Sequence, residues 1–260
     1  MDAKLSREFM LTFDDGPLPD ATDRVLDALV ELRASDGKPV RAGFFLIGDT
    51  PDNFWQSRSY HAPYEIWTVK GSIVKYPRLT QRIKQLGHLI GNHTANHAWF
   101  RWPWLNTPSA IRNELCQWEA AAGTIFDASS PRLFRPPYLI DSEIVCEIVR
   151  QAGYQMVMGE AVGDTTPGIT VKQIKQKAKR ILAAWNQPYP CVLIFHDTLP
   201  ITYKYLGEIV HFLQQRGFRL VHFNPTGIQN RGKSSCRQEY VHQHEPLYLD
   251  NVASHITRSV

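Results

Sequence analysis

The stretch "LTFDDGP", residues 11–17, sets two carboxylates side by side at the end of an apolar run. A strand sends successive side chains to opposite faces, so Asp14 and Asp15 would point apart. Gly16 permits unusual dihedrals and Pro17 fixes φ, and together they can turn both carboxylates into one cleft. Further along, His93 and His97 occur in "GNHTANH". A helical turn after Gly91 would put both imidazoles on one face, where they can grip a single metal ion. Two imidazoles and one carboxylate make a three-ligand site with a place left for water, the arrangement of catalytic zinc centres. Only one of the adjacent aspartates is needed as a ligand, which frees the other to take a proton from that water.

The elements that must position these groups alternate. "EFMLTF", "RAGFFLIG", "HLIGNHT", "RLFR", "YQMVMG", "CVLIF" and "RLVHF" read as strands, about seven in all. Helical patterns separate them. Val25, Leu26, Leu29 and Leu32 recur at helical spacing with Gly37 as a stop, and Pro77 and Gly87 bracket a second helix. Thr107 is placed as an N-cap with Pro108 at the first helical position. Later helices are expected in "SEIVCEIVRQAG", "TVKQIKQKAKRILAAW" and "YKYLGEIVHFLQQRG". The alternation predicts an α/β fold with a parallel sheet. A closed or nearly closed β/α barrel is the first expectation and an open doubly wound sheet the second. In a barrel the strand ends meet on one rim, so "DDG", "NHTANH", "RPPY", "GEAVGD" and "HD" would share a single site.

Two segments fall outside the alternation. Residues 49–76 form a long aromatic-rich insertion of the kind that is more often functional than accidental. Residues 225–260 are a polar tail without periodicity, and its His242, His244 and His255 offer a second, weaker metal set. The barrel is therefore expected over 1–224 and the tail over 225–260.

The apolar fraction of 43% suits a globular core, and a formal charge of +4 without a basic run excludes a nucleic-acid surface. "KQIKQKAKR" (172–180) reads as the solvated face of a helix. Four widely spaced cysteines without a CxxC pair predict free thiols and a reducing compartment. No stretch reaches the roughly 18 apolar residues of a membrane span, and the N-terminus has no apolar leader core, so a cytoplasmic location is expected.

"TFDDGP", "HTANH", "RPPY" and a strand ending in His196 resemble, in order, the motifs of the polysaccharide deacetylases (carbohydrate esterase family 4, the NodB-homology domain). The likeness spans roughly residues 9–223. It implies a distorted (β/α)7 barrel and a hydrolase that removes an N-acetyl group from an amino sugar. It implies Asp14 as general base, with Asp15, His93 and His97 as ligands of one divalent ion. Zinc comes first, with cobalt, manganese and nickel as alternatives. Arg135 would hold the base, the N–H of Tyr138 would serve the oxyanion, and His196 would be the general acid. "VLIFH" (192–196) would line the acetyl pocket. The fourth motif departs from the family: in "GEAVGDTTPG" the orienting aspartate is Asp164, with Glu160 as rival, and the usual following tryptophan is Thr165. The implied partner is an N-acetylated carbohydrate: a soluble oligosaccharide, a polysaccharide, or a lipid-linked or nucleotide-linked amino sugar. An acetyl-ester hydrolase or other amidohydrolase using the same site, or a non-catalytic carbohydrate-binding barrel, are the alternatives. "DDGP" lacks the D-x-D spacing of an aspartate-nucleophile phosphatase. Nothing in the sequence sets the oligomeric state.

Overall fold

The apolar run before the paired aspartates becomes β1 (Glu8–Asp14), the centre of one curled parallel sheet. The computed structural model describes residues 6–52, 54–62, 70–127 and 129–227. Around β1 stand β2 (Gly43–Leu46), β3 (Leu89–Asn92), β4 (Leu133–Phe134) and β5 (Gln155–Met156) on one side. On the other stand β7 (Cys191–His196) and then β6 (Glu160–Ala161). β8 (Arg219–Leu220) pairs with the first two residues of β1, below the stretch that pairs with β2. All these ladders are parallel.

The two edge strands, β5 and β6, are consecutive in sequence, joined by Val157, Met158 and Gly159. So short a link cannot span an open sheet, because each residue reaches at most about 3.6 Å. The sheet must curl until its edges nearly meet, which favours the near-closed barrel over the open doubly wound sheet. Of the expected fifth strand, "YQMVMG", only Gln155–Met156 pairs as a strand, and β6 follows just beyond it on the opposite edge. Alternation along the central strands sorts the side chains. Phe9, Leu11 and Phe13 of β1 join Cys191, Leu193 and Phe195 of β7 in the core beneath the helices. Met10 and Val192 pack inside the curl with Phe45, Leu133, Val157 and Phe223. Asp14 and His196 continue these interior rows and are register partners across β1 and β7.

The helices cover the outside. α1 (Ala21–Glu31) buries Val25, Leu26 and Leu29 but ends before Leu32, whose extended backbone leaves the helix well short of Gly37. α3 (Pro77–Gln85) and α4 (Pro108–Ala122) start at prolines, and Thr107 Oγ1 accepts the Ala110 N–H at 3.3 Å. Trp118 of α4 is fully buried and donates to the Leu46 carbonyl at 2.6 Å. α5 (Glu143–Gln151), α6 (Val171–Ala184) and α7 (Pro200–Gln214) complete the layer, α6 opening with a Thr170–Gln173 capping box. Cys116 and Cys191 are free, but Cys146 is disulfide-bonded, which corrects the expectation of four free thiols. Residues 228–260, with the tail histidines, lie outside the described residues. Among the described residues no helix is long and apolar enough to cross a membrane.

The insertion is not structureless. It contains α2 (Phe54–Tyr60), and its far end returns across the aspartate turn. The Ser72 N–H donates to the Pro17 carbonyl at 3.1 Å, the Ile47 N–H to Gly16 at 2.9 Å and the Ile73 N–H to Ile47 at 3.0 Å. Gly71 sits so close to this turn that a Cβ there would fall 1.8 Å from the Asp15 carbonyl oxygen. Backbone on both sides leaves little room to relax. Gly71→Ala should therefore lower stability by about 1–3 kcal/mol, the usual size of an overpacked site. Urea unfolding measures it, and an unchanged midpoint would mean that the strap does not press on the turn.

Candidate active site

Asp14 closes the β1 ladder, so its side chain follows the pleat into the barrel, where it is 3% exposed. Asp15 does not follow the pleat. Its φ of 72° is left-handed, and this residue itself, not only the glycine and proline after it, ends the alternation. Gly16 is required for another reason: a Cβ there would lie 2.3 Å from a carboxylate oxygen of Asp197. That carboxylate is buried and accepts from the Thr22 hydroxyl, and burial together with nearby Asp15 pushes its pKa up to about 7.

The expected helical turn between His93 and His97 is absent. Thr94 and His97 are left-handed instead, at φ 66° and 54°, and the loop is held from outside. The Asn92 side chain accepts the Thr94 N–H at 2.7 Å, and Thr94 Oγ1 accepts the Ala98 N–H at 2.9 Å. Buried Glu114 of α4 takes the Asn96 backbone and side-chain N–H groups, each at 2.9 Å. Burial raises the Glu114 pKa, and these donors act against that. From the insertion, His61 accepts no such role from sequence, yet it is fully buried. Its Nε2 lies 2.9 Å from the Asn96 carbonyl, its Nδ1 3.1 Å from Ser57 Oγ, and burial takes its pKa down to about 4.

This loop brings His93 Nε2 to 3.3 Å and His97 Nε2 to 3.1 Å from Asp15 Oδ1. One ligand atom from each of the three residues lies within 4.8 Å of the others. His93 Nδ1 is 2.8 Å from the Arg135 carbonyl, an acceptor only, so Nδ1 carries the proton and Nε2 turns a lone pair to the site. Asp15 Oδ1 is buried without a hydrogen-bond partner among the described residues. Burial would raise its pKa, but His97 and His93 hold the carboxyl well below the ordinary value, so it stays charged. A carboxylate and two imidazole nitrogens facing one point, with no protein donor between them, fit a divalent ion.

Arg135, immediately after β4, is wholly buried. Its Nη1 donates to Asp14 Oδ1 at 2.6 Å and to Thr12 Oγ1 at 3.0 Å, and its Nε to the Val157 carbonyl at 2.9 Å. The Tyr138 ring lies 4.8 Å from that of His97, on a backbone with φ 58°. Across the rim, His196 Nδ1 meets Asp164 Oδ1 at 2.9 Å while His196 Nε2 stands 3.9 Å from Asp15 Oδ2. Asp164 Oδ2 accepts from the His196 backbone N–H and from Thr202 Oγ1, both at 2.7 Å. Burial works against the charged imidazole, but Asp164 outweighs it and raises the His196 pKa to about 10. Glu160, the sequence rival, is exposed on β6. The structure thus gathers Asp14, Asp15, His93, His97, Arg135, Tyr138, Asp164 and His196 at one end of the sheet. Thr12, Thr202, Glu114 and His61 escaped sequence reasoning, because nothing local distinguishes them from ordinary core or cap residues.

Comparison with known proteins shows the family and the fold. Residues 3–157 match the sequence profile described as polysaccharide deacetylase, and the chain belongs to that family. A peptidoglycan-N-acetylglucosamine deacetylase of Bacillus cereus is 26% identical over 222 residues, 81% of this chain and 84% of that one. A chitooligosaccharide deacetylase of Bradyrhizobium sp. is 30% identical over 235 residues, 84% of this chain and 90% of that one. The solved chitin deacetylase from the fungal pathogen Colletotrichum lindemuthianum shares the fold with a TM-score of 0.64. It covers 85% of this chain and 87% of that one at 23% identity.

His93→Ala and His97→Ala should each weaken zinc binding by more than about a hundredfold, beyond what loss of a ligand's supporting partner costs. Competition with a chromophoric chelator measures this, with circular dichroism reporting the fold. Full zinc uptake by the double alanine variant would place the metal elsewhere.

Proposed function

We propose that this chain is a metal-dependent hydrolase that removes the N-acetyl group from an amino sugar of a glycan, releasing acetate. The observation that carries the reading is the division of the two carboxylates. Asp14 is held by Arg135, whereas Asp15 faces two imidazoles. A divalent ion at Asp15, His93 and His97, zinc by preference, would supply Lewis-acid polarisation of the amide carbonyl and a more acidic water. In the same reading Asp14 accepts the proton of the attacking water, whose oxygen bonds to the carbonyl carbon. The ion pair with Arg135 fixes the position of that base. The N–H of Tyr138, at the edge of the ligand cluster, donates to the developing oxyanion. His196 then hands its proton to the amine nitrogen as the C–N bond breaks, leaving acetate and a free amino sugar. Asp164 favours the charged form of His196 and fixes the orientation of its ring.

Relatives named as deacetylases of peptidoglycan N-acetylglucosamine and of chitooligosaccharides support the N-acetylated glycan class. An alkoxide leaves a tetrahedral intermediate more readily than an unprotonated amide nitrogen, so a built acid such as the Asp164–His196 pair matters more for the amide than for an acetyl ester. A non-catalytic barrel would have no use for a base, three ligands and an acid together. Acetate release from N-acetyl sugars tests the reading, and none from any such substrate by zinc-loaded protein would sink it.

Asp14→Asn should keep its zinc and lose about two to four decades of kcat, the size of a missing general base. Near-normal turnover would remove Asp14 from that role. The acid gives a pH prediction. His196 donates only when protonated, so activity falls as pH rises through its pKa, which a bound cation brings down from about 10. Asp164→Asn takes away the group that raises this value and should move the alkaline fall to lower pH with zinc content unchanged. Glu160→Gln should leave the profile in place. A shift in the Glu160 variant alone would reverse the assignment.

A further inference from the structure

The aromatic residues after His97 form an ordered run leading out of the site. The Tyr138 ring lies 4.8 Å from His97 and 6.3 Å from Trp99; Trp102 follows 5.0 Å from Trp99. Trp104 then stacks on Trp102 at 4.6 Å with their planes 14° apart. Burial falls along the run: Trp99 and Trp102 are half-buried, and Trp104 is 54% exposed.

The outer rings are fixed at their edges. Trp102 Nε1 donates to the His61 carbonyl at 3.2 Å and Trp104 Nε1 to the Ser59 carbonyl at 3.0 Å, both at the end of α2. An indole tied by its N–H and stacked on one side cannot turn inward, so the other face of Trp104 stays in water. A large apolar face held outward, at the end of a run of rings that begins at His97, marks a binding surface more than a packing remainder. A sugar ring matches it, with an apolar C–H face to stack and hydroxyls left to the solvent. Because Trp104 is separated from His97 by three further rings, the sugar it holds is not the one being cleaved.

We infer that Trp104, backed by Trp102, is a stacking platform for a glycan unit distal to the reacting acetamide. What happens at the other end of that glycan rests on the deacetylase reading. The platform lowers the Kd of a chain and leaves little mark on a monosaccharide.

Calorimetry with the N-acetylglucosamine tetramer on wild type, Trp104→Phe and Trp104→Ala reads binding separately from acetate release. Trp104→Ala should raise the tetramer Kd about three- to tenfold, the range of one aromatic stacking contact. Trp104→Phe, which keeps a ring, should recover most of it. The kcat/KM ratio of tetramer to monomer should fall in parallel in the alanine variant. Equal affinity in all three proteins, or no tetramer binding by wild type, overturns the platform even if acetate is released. Trp104-dependent binding without acetate release supports the platform and sinks the deacetylase reading instead.

Discussion

A fully buried guanidinium is the constraint around which the site is built. Arg135 reaches from the end of β4 to Thr12 and Asp14 on β1 and to the Val157 carbonyl after β5. It also lies 4.0 Å from the Phe45 ring centroid of β2. Its own N–H donates to the Asn92 carbonyl at the end of β3, and its carbonyl holds His93 Nδ1. One residue thus touches four neighbouring strands, the proposed base and one proposed ligand. Burial lowers the Arg135 pKa and Asp14 counteracts it, so neither partner tolerates loss of the other. Breaking a buried pair costs about 3–5 kcal/mol because the survivor is left charged and dry. Asp14, the proposed base, is therefore positioned by the same contact that balances the buried charge of Arg135.

What the sequence shows of this arrangement is what local rules control. The period-2 pattern of "EFMLTFD" and "CVLIFH" sets Asp14 and His196 on interior rows, and Thr107–Pro108 opens α4 where capping preferences put it. Gathering polar strand ends on one rim follows from parallel topology alone. The errors have a common origin in contacts made across the fold. Asp15 is left-handed because the strap at Gly71 and the carboxylate of Asp197 shape its turn, and neither is near it in sequence. His93 and His97 converge without a helix because Glu114 and His61, remote in sequence, hold the Asn96 backbone, with Asn92 adding a local bond to Thr94. The choice of Asp164 over Glu160 depends on β6. That strand is too short for a periodic pattern to reveal, and it turns Glu160 to the surface.

The left-handed residues show how the site is maintained. Six non-glycine residues among those described have positive φ, and Asp15, Thr94, His97 and Tyr138 all belong to the ligand loops or the rim beside them. Such conformations cost on the order of 1–3 kcal/mol each and persist only where surrounding structure dictates them. The insertion supplies much of that support. Its α2 end reaches the histidine loop, with His61 on the Asn96 carbonyl and the Trp99 N–H on Tyr60. Its other end binds Pro17 through Ser72 and presses Gly71 against Asp15. The two loops that carry the proposed ligands come from different strands. The insertion's described parts, residues 54–62 and 70–76, grip one loop each and so restrain both strained turns. A long excursion outside the strand–helix alternation then has a physical reason to exist: it supplies from above the rim the restraint that short parallel strands do not extend beyond their ends.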